Sequence, residues 1–215
     1  MQHPSRRPLL AAAAAAALLS GPALAQVSLA QVPAAQVPAP TAQAADPAQA
    51  ALAESRAAAQ ALTRDLLAAV KSSLAADGPV GAIRTCNEVA PGIAEALSQG
   101  GMTVGRTSLK VRNPGNAPDD WERAVLRDFA DRKAAGADPA TLEHWEVLPG
   151  ADGGRTFRYM KAIAIPAESP CLACHGTDLA PPVMAALDQL YPADQARGYR
   201  AGDLRGAVTV TRPLP

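Results

Sequence analysis

All seven aromatic residues of this chain lie in its second half, and this distribution limits the core that the first half can build. They are Trp121, Phe129, Trp145, Phe157, Tyr159, Tyr191 and Tyr199. Hydrophobic residues make up 48% of the 215 positions, but alanine is the commonest of them and buries little area per residue. The first 120 residues therefore have no large flat side chain to pack around, and another group is expected to fill that role.

The charges balance, which excludes several classes of partner. The chain has 20 Lys and Arg against 20 Asp and Glu, so there is no electrostatic basis for binding nucleic acid or an anionic membrane. Charged residues at 19%, with ordinary Gly and Pro contents, exclude a collagen-like or wholly disordered chain. The length suits one domain of ordinary size with appendages.

Residues 1–25 have the organisation of a secretory signal peptide. Arg6 and Arg7 precede the apolar run from Leu9 to Leu19, and Ala23-Leu24-Ala25 provides a small-residue cleavage site. The apolar run is shorter than the roughly 20 residues that span a bilayer, and no later segment is expected to be long enough. We therefore expect cleavage after Ala25 and a mature periplasmic chain that is not inserted in the membrane. The adjacent arginines also resemble a twin-arginine export signal.

Residues 26–45 repeat Gln-Val among Ala and Pro, a composition with too little large apolar surface to fold, and this indicates a disordered linker. Asp46-Pro47 has the residues that begin a helix, so the folded domain is expected to span residues 46–215. Leucine and valine then recur every four residues until Asp77-Gly78 ends the helix. A second helical stretch begins at Pro79. The apolar positions of the first helix are Leu62, Leu66, Val70 and Leu74.

Alternation replaces the helical pattern from Met102 onward and predicts a strand, with Val104, Arg106, Ser108, Lys110 and Arg112 on one face. A helix from Asp119 to about Gly136 is expected to bury Trp121, Val125, Leu126 and Phe129. Three later stretches have the character of strands, at residues 142–148, 155–165 and 206–211, with a short helix at 182–190 between the last two. Helices first and strands late predict an α+β domain with a small antiparallel sheet.

The most specific motif is Cys171-Leu172-Ala173-Cys174-His175. CxxCH is the attachment site of a c-type haem, in which the two thiols add to the porphyrin vinyl groups and the histidine binds the iron. A thioredoxin-type pair is disfavoured because Ser169-Pro170 and Gly176 place the motif in a loop. A zinc site would need a second pair of ligands. We therefore expect one covalently attached haem c, and export by the general secretory route, because haem is attached after an unfolded chain has crossed the membrane.

Cys86 is left over once two of the three cysteines bind the porphyrin. An unpaired thiol in an oxidising compartment is either buried as a small apolar group or used, so Cys86 is a candidate sixth ligand. His144, Met102, Met160 and Met184 are the rival ligands of the mature chain. The methionines are also explained by packing, and His144 by an ordinary satisfied or exposed position.

Several segments beyond this motif resemble a single protein family. They are Val104-Gly105-Arg106-Thr107-Ser108-Leu109-Lys110-Val111-Arg112-Asn113-Pro114, Asn116, Pro118-Asp119, Trp121-Glu122, Cys86-Asn87-Glu88-Val89-Ala90-Pro91, Tyr191-Pro192 and Arg205-Gly206-Ala207. With the CxxCH motif they resemble a family of single-haem c-type proteins with a PAS-like sheet, long catalogued as a domain of unknown function. The resemblance covers roughly residues 50–212, nearly all of the mature chain.

The resemblance implies a PAS-like α+β fold with a long N-terminal helix or helix pair, and an iron ligated by His175 and by Cys86 from that helical region. Members of the family occur as free exported proteins and as extracytoplasmic sensor regions of membrane-bound signalling proteins. The implied partner is therefore a redox partner protein or a membrane signalling protein. With no transmembrane helix or transmitter domain expected, this chain would be of the free type.

A cysteine ligand binds as a thiolate, an anionic donor that stabilises ferric iron and lowers the reduction potential. Two occupied axial positions favour redox sensing or electron transfer over enzymatic chemistry. A haem-based sensor of a gas or small ligand, opened by release of Cys86, is the alternative. A peroxidase would need an open site and a distal acid or base, for which His144 is the candidate.

The basic side chains of Arg106, Lys110 and Arg112 share one phase of the alternation and are expected to pair with the haem propionates. The alternative is a solvated strand face.

Overall fold

A four-stranded antiparallel sheet with helices on both faces organises the residues that this computed structural model describes, 46–150 and 153–215. The elements are α1 (Pro47–Glu88), α2 (Ala90–Leu97), β1 (Thr103–Thr107), α3 (Asp120–Ala134), β2 (Glu143–Pro149), β3 (Arg155–Ala164), α4 (Leu172–His175), α5 (Pro181–Leu190) and β4 (Leu204–Leu214). The strand order is β1-β4-β3-β2. The predicted α+β fold, with a long N-terminal helix and a small antiparallel sheet, is confirmed. The predicted signal peptide and linker lie outside the described residues.

Helix α1 begins and bends where the sequence predicts. The Asp46 side chain accepts a hydrogen bond from the Ala48 amide at 3.0 Å, and Pro47 occupies the first turn. Gly78 has φ 66° and ψ −168°, a conformation that glycine adopts without steric cost, and Pro79 follows it. The predicted stop and restart are therefore a sharp kink within α1. The helix ends at Glu88, and the backbone turns into α2 at Val89.

The apolar face predicted for α1 is buried in only its first half. Leu62 and Leu66 pack in the core, whereas Val70 and Leu74 are half-buried because that part of the helix extends past the sheet. Leu67 beside them is 38% exposed.

The sequence analysis predicts that no segment after the signal peptide is long enough to span a membrane. This prediction is wrong, because α1 is both long enough and apolar enough to do so. Its most apolar window of 18 residues has a mean hydropathy of 1.2. Core helices of soluble proteins meet the same criteria, and α1 packs Ala51, Leu52 and Leu62 against the sheet.

The two faces of the sheet carry separate cores. On the α1 face, Phe157 and Tyr159 of β3 and Val208 and Val210 of β4 pack against the first half of α1. On the opposite face, the apolar side of α3 packs against alternate residues of the same strands. That second core contains Val125, Leu126, Phe129, Leu142, Met160, Ala162 and Ala207.

Strand β1 is shorter than the alternation predicts and ends at Thr107. The Ser108 hydroxyl bonds the backbone oxygens of Arg205, at 2.7 Å, and Lys110, at 3.1 Å, so local side-chain bonding replaces the strand ladder from this point. Arg106 therefore lies on a strand, whereas Lys110 and Arg112 lie on the loop that follows it.

Trp121 is half-buried rather than a core residue. Helix α3 begins with a capping box between Asp119 and Glu122. The Trp121 indole N–H donates to the Glu146 carboxylate at 2.6 Å, and the Arg158 guanidinium lies 4.3 Å from the ring centre. An indole N–H that needs a polar partner explains why this ring stays at the rim of the core.

Gly206 is the strand position where a side chain is least acceptable. It has φ 155°, and a Cβ there would overlap the Thr107 carbonyl oxygen. We expect Gly206→Ala to lower the free energy of unfolding by about 2 kcal/mol, measured by chemical denaturation. Gly105→Ala is the matched control, because its Cβ would meet only Thr209 Cγ2 at 3.7 Å, and less than about 1 kcal/mol is expected. Equal losses in both variants would contradict the steric argument.

Candidate haem site

The CxxCH motif forms one helical turn, α4, immediately after a loop. The His175 amide donates to the Cys171 carbonyl at 2.9 Å, which closes the turn. Cys171 and Cys174 are three residues apart on this turn, so their side chains share a face. Both are half-buried. The turn presents two thiols and a histidine within a single short segment.

The His175 ring is prepared to bind a metal through Nε2. Its Nδ1 lies 2.8 Å from the carbonyl oxygen of Ala196. Because a carbonyl only accepts, Nδ1 carries the proton and Nε2 keeps its lone pair. Burial, with the charges of Arg205 and Arg112, lowers the pKa of His175 to about 3, so the ring is neutral at physiological pH. This is the protonation state that an iron ligand requires.

Cys86 lies on the segment of α1 between the Gly78 kink and the turn at Val89. Burial raises the pKa of its thiol, while the guanidinium groups of Arg106, Arg112 and Arg205 act in the opposite direction. The thiol is therefore protonated in the absence of a metal. A bound cation would drive its deprotonation, and the arginines would stabilise the thiolate.

Packing of the second half of α1 brings Cys86 to the CxxCH turn. Ile83 is buried with Val183, Leu187 and Tyr191 of the α5 region, and Cys174 packs against this cluster. The Cys86 thiol is close enough to Cys171 and Cys174 for their charges to interact. The structure thus brings the Cys86 region of α1 to the CxxCH turn, although Cys86 and Cys171 are far apart in sequence.

Arg112 is bound to a carboxylate rather than left free on a strand face. Its Nε and Nη2 donate to the two oxygens of Asp194 at 3.1 and 3.2 Å, with side chains 8% and 0% exposed. Nη2 also donates to the Cys174 carbonyl at 2.6 Å and the Ala196 carbonyl at 3.1 Å. Burial alone would raise the pKa of Asp194, but hydrogen bonds from Arg112 and Arg197 hold it below its usual value. Arg112 therefore links the CxxCH motif to Asp194 through hydrogen bonds. Its pairing with a haem propionate stays a prediction.

Arg106 and Arg205 are the arginines without a carboxylate partner near the motif. Within residues 46–150 and 153–215, neither forms a salt bridge. Arg205 donates to Ser108 Oγ at 2.9 Å and to the Lys110 carbonyl at 3.2 Å. Burial and the neighbouring charges of Arg112 and Arg106 lower the pKa of Arg205. Two uncompensated cations beside the thiols are suited to an anionic group such as a propionate.

Lys110 and Arg205 flank Tyr199 behind the histidine. Lys110 Nζ lies 4.5 Å from the centre of the Tyr199 ring and donates to the Arg197 carbonyl. The Arg205 guanidinium lies 5.4 Å from the same ring centre, and the ring meets His175 edge-on at 6.2 Å. Lys110 thus contacts Tyr199, which in turn contacts His175, and its pairing with a propionate stays a prediction.

The rival ligands have packing or surface positions of their own, and Met102 packs against the core on the α1 face. His144 is on β2, with its ring 5.8 Å from Trp121 and its Nε2 3.9 Å from Glu146. Met160 is fully buried in the core beside α3, and Met184 is 40% exposed on α5. In the described ranges, no group of three or more His, Cys, Asp or Glu side chains is arranged to hold a metal ion.

The sequence alone does not reveal the contacts of Asp194, Ala196, Tyr199 and Arg205 at this site. No local pattern marks these residues, because each acts through a contact distant in sequence; Arg112 and Asp194 are 82 positions apart. The complete donor set, two neighbouring thiols, a neutral imidazole with Nε2 available, a third thiol and two unpaired cations, fits a covalently held haem.

Comparison with known proteins also relates this chain to a haem protein. The chain resembles the solved crystal structure of the cyanobacterial haem protein Tll0287, with 25% sequence identity and a TM-score of 0.56. The match covers 76% of this chain and 95% of that one. None of the curated proteins compared with the chain matches it. The Tll0287-like family model matches residues 36–213. The chain therefore belongs to the Tll0287-like family.

Proposed function

We propose that this protein is an exported mono-haem c-type protein that acts in low-potential redox sensing or electron transfer. Cys171 and Cys174 hold one haem through thioether bonds, and His175 and Cys86 bind its iron. The observation that carries the proposal is the His175 Nδ1–H bond to Ala196, which leaves Nε2 available within a CxxCH turn. The similarity to a cyanobacterial haem protein supports it.

The bound haem would supply a one-electron redox couple, and the residues of this chain would set its reduction potential. A Cys86 thiolate is a stronger anionic donor than a neutral ligand and favours the ferric state. Arg106 and Arg205 supply charges that an anionic ligand or the propionates can pair with. With both axial positions filled by side chains, the site suits outer-sphere electron transfer rather than enzymatic turnover.

The mature chain is proposed to act in the periplasm after cleavage of the signal peptide following Ala25. Its partner is a redox protein or a membrane signalling protein. A balanced charge gives no basis for nucleic acid as a partner.

A second candidate function is a haem-based sensor of a gas or small ligand. Cys86 lies on a short segment flanked by the kink at Gly78 and the turn at Val89. The kink and the turn separate this segment from the first half of α1, which is packed on the sheet. Release of Cys86 on reduction would then open one axial position.

Covalent attachment is tested by the mass of the protein purified from a periplasm that assembles c-type cytochromes. We expect the mass of residues 26–215 plus one haem, and the haem should remain with the chain in acid acetone. Cys171→Ala and Cys174→Ala each remove one thioether, so the double variant should carry no covalent haem. A wild-type mass equal to that of the polypeptide alone would sink the proposed function.

The axial ligands are tested by absorption and EPR spectra of the ferric protein. We expect wild type to be low-spin, and Cys86→Ala to become high-spin with a higher midpoint potential, because an anionic donor is lost. His144→Ala is the matched control and should keep the wild-type spectrum. If instead only His144→Ala changes the spin state, Cys86 is not the ligand.

Carbon monoxide binding separates the two candidate functions. For a redox protein, the ferrous spectrum should be unchanged by CO because Cys86 and His175 remain bound. For a ligand sensor, CO should shift the ferrous Soret band and displace Cys86, with Cys86→Ala binding CO more tightly than wild type.

A further inference from the structure

We infer that Arg112, held by Asp194, is a positioning residue that sets the donor strength of His175 through a shared carbonyl. The inference rests on the proposed ligation of haem by His175. It concerns how this chain controls that ligand, and it draws on contacts outside the CxxCH motif.

The carbonyl oxygen of Ala196 receives two donors. His175 Nδ1–H donates to it at 2.8 Å, and Arg112 Nη2 donates at 3.1 Å. A carbonyl that already accepts a hydrogen bond from a cation is a weaker acceptor for the second donor. The Nδ1–H bond of His175 is therefore less polarised. The imidazole is a weaker electron donor at Nε2 than that of a histidine whose carbonyl partner accepts no second hydrogen bond.

Asp194 fixes this arrangement from the other side. Its Oδ1 accepts hydrogen bonds from the Ala196 amide at 2.8 Å and from Arg112 Nε, so one carboxylate orients both Arg112 and the residue whose carbonyl Arg112 shares with His175. Its Oδ2 accepts Arg112 Nη2 and, at 2.8 Å, Arg197 Nε. All four contacts are charge-assisted or made to a fully buried carboxylate, which makes the geometry rigid.

The loop that carries Ala196 is attached to the motif along its length. The Tyr199 amide donates to the His175 carbonyl and the Gly198 amide to the Gly176 carbonyl, both at 2.9 Å. The Gln195 amide donates to the Val111 carbonyl at 2.8 Å, next to Arg112. Arg112 bonds the carbonyls of Cys174 and Ala196, and of these two Ala196 also bonds the His175 ring. A change at Arg112 therefore reaches the hydrogen bond of the ring through the Ala196 carbonyl.

The test is Arg112→Gln in the haem-loaded protein, with two readouts: the midpoint potential and the NMR resonance of the His175 Nδ1 proton in the diamagnetic ferrous state. With Ala196 accepting from His175 alone, this hydrogen bond strengthens. We expect the proton resonance to move downfield and the midpoint potential to fall. Arg112→Lys keeps the charge but cannot reach Asp194 and Ala196 together, so it should also move the resonance downfield.

Two control variants separate the shared carbonyl from charge. Arg205→Gln removes a cation that also acts on His175 but does not bond Ala196, and it should lower the potential without moving the proton resonance. Arg197→Gln removes the other arginine bound to Asp194, which bonds Asp188 and Asp194 rather than Ala196, and should leave the resonance in place.

An equal shift of the proton resonance in Arg205→Gln and Arg112→Gln would overturn the inference, because charge alone would then explain it. A wild-type resonance in haem-loaded Arg112→Lys would overturn it as well. Should Arg112→Gln fail to fold, as judged by circular dichroism, Arg112→Lys provides the same test. A wild-type protein without haem would instead contradict the proposed function.

Discussion

The buried ion pair between Arg112 and Asp194 is the contact on which the geometry of the candidate site depends. It joins the loop after β1 to the loop after α5, across 82 positions of sequence, and both loops meet the CxxCH turn there. Losing one partner of such a pair costs about 3–5 kcal/mol, because the other charge is left buried and unpaired. The pair also makes further hydrogen bonds, from Arg112 to the Cys174 and Ala196 carbonyls and from Arg197 to Asp194, and such bonds are what allows a buried charge to be tolerated. The Arg112–Asp194 pair therefore both orders the residues around His175 and stabilises this part of the domain.

Helix α1 performs two separate tasks on either side of Gly78. Its first half packs on the sheet, and Arg56 reinforces the contact by bonding Glu143, which also accepts from the Tyr159 hydroxyl at 2.9 Å. Its second half packs on α4 and α5 and presents Cys86. A straight helix of this length could not follow both surfaces. Gly78 and Pro79 change the direction of the helix, which continues after the kink to Glu88.

The sequence predicts the features that depend on neighbouring residues. The Asp46 cap, the break at Gly78 and the later strands follow from short-range patterns, and the resemblance supports Cys86. The CxxCH motif was predicted to lie in a loop, but its last four residues form the helical turn α4. The alternation through Arg112 was extended too far because nothing local shows that Ser108 bonds Arg205 and ends the strand. Hydrophobicity alone predicts Trp121 in the core, whereas the partner of its indole N–H, Glu146, is on strand β2. Asp194 is an ordinary acidic residue in the sequence, and its importance arises only from contacts that the fold creates.

The position of β4 in the sheet has a consequence for the order in which the chain can assemble. The last strand of the sequence is an interior strand of the sheet, paired with β1 on one side and β3 on the other. Until its residues are available, β1 has no partner strand and the two cores lack their shared wall. The CxxCH turn precedes β4 in the chain, so a chain that appears from its N-terminus exposes both cysteines while the sheet is still incomplete. Completion of the sheet therefore follows the appearance of the motif, and the last strand then joins the two cores.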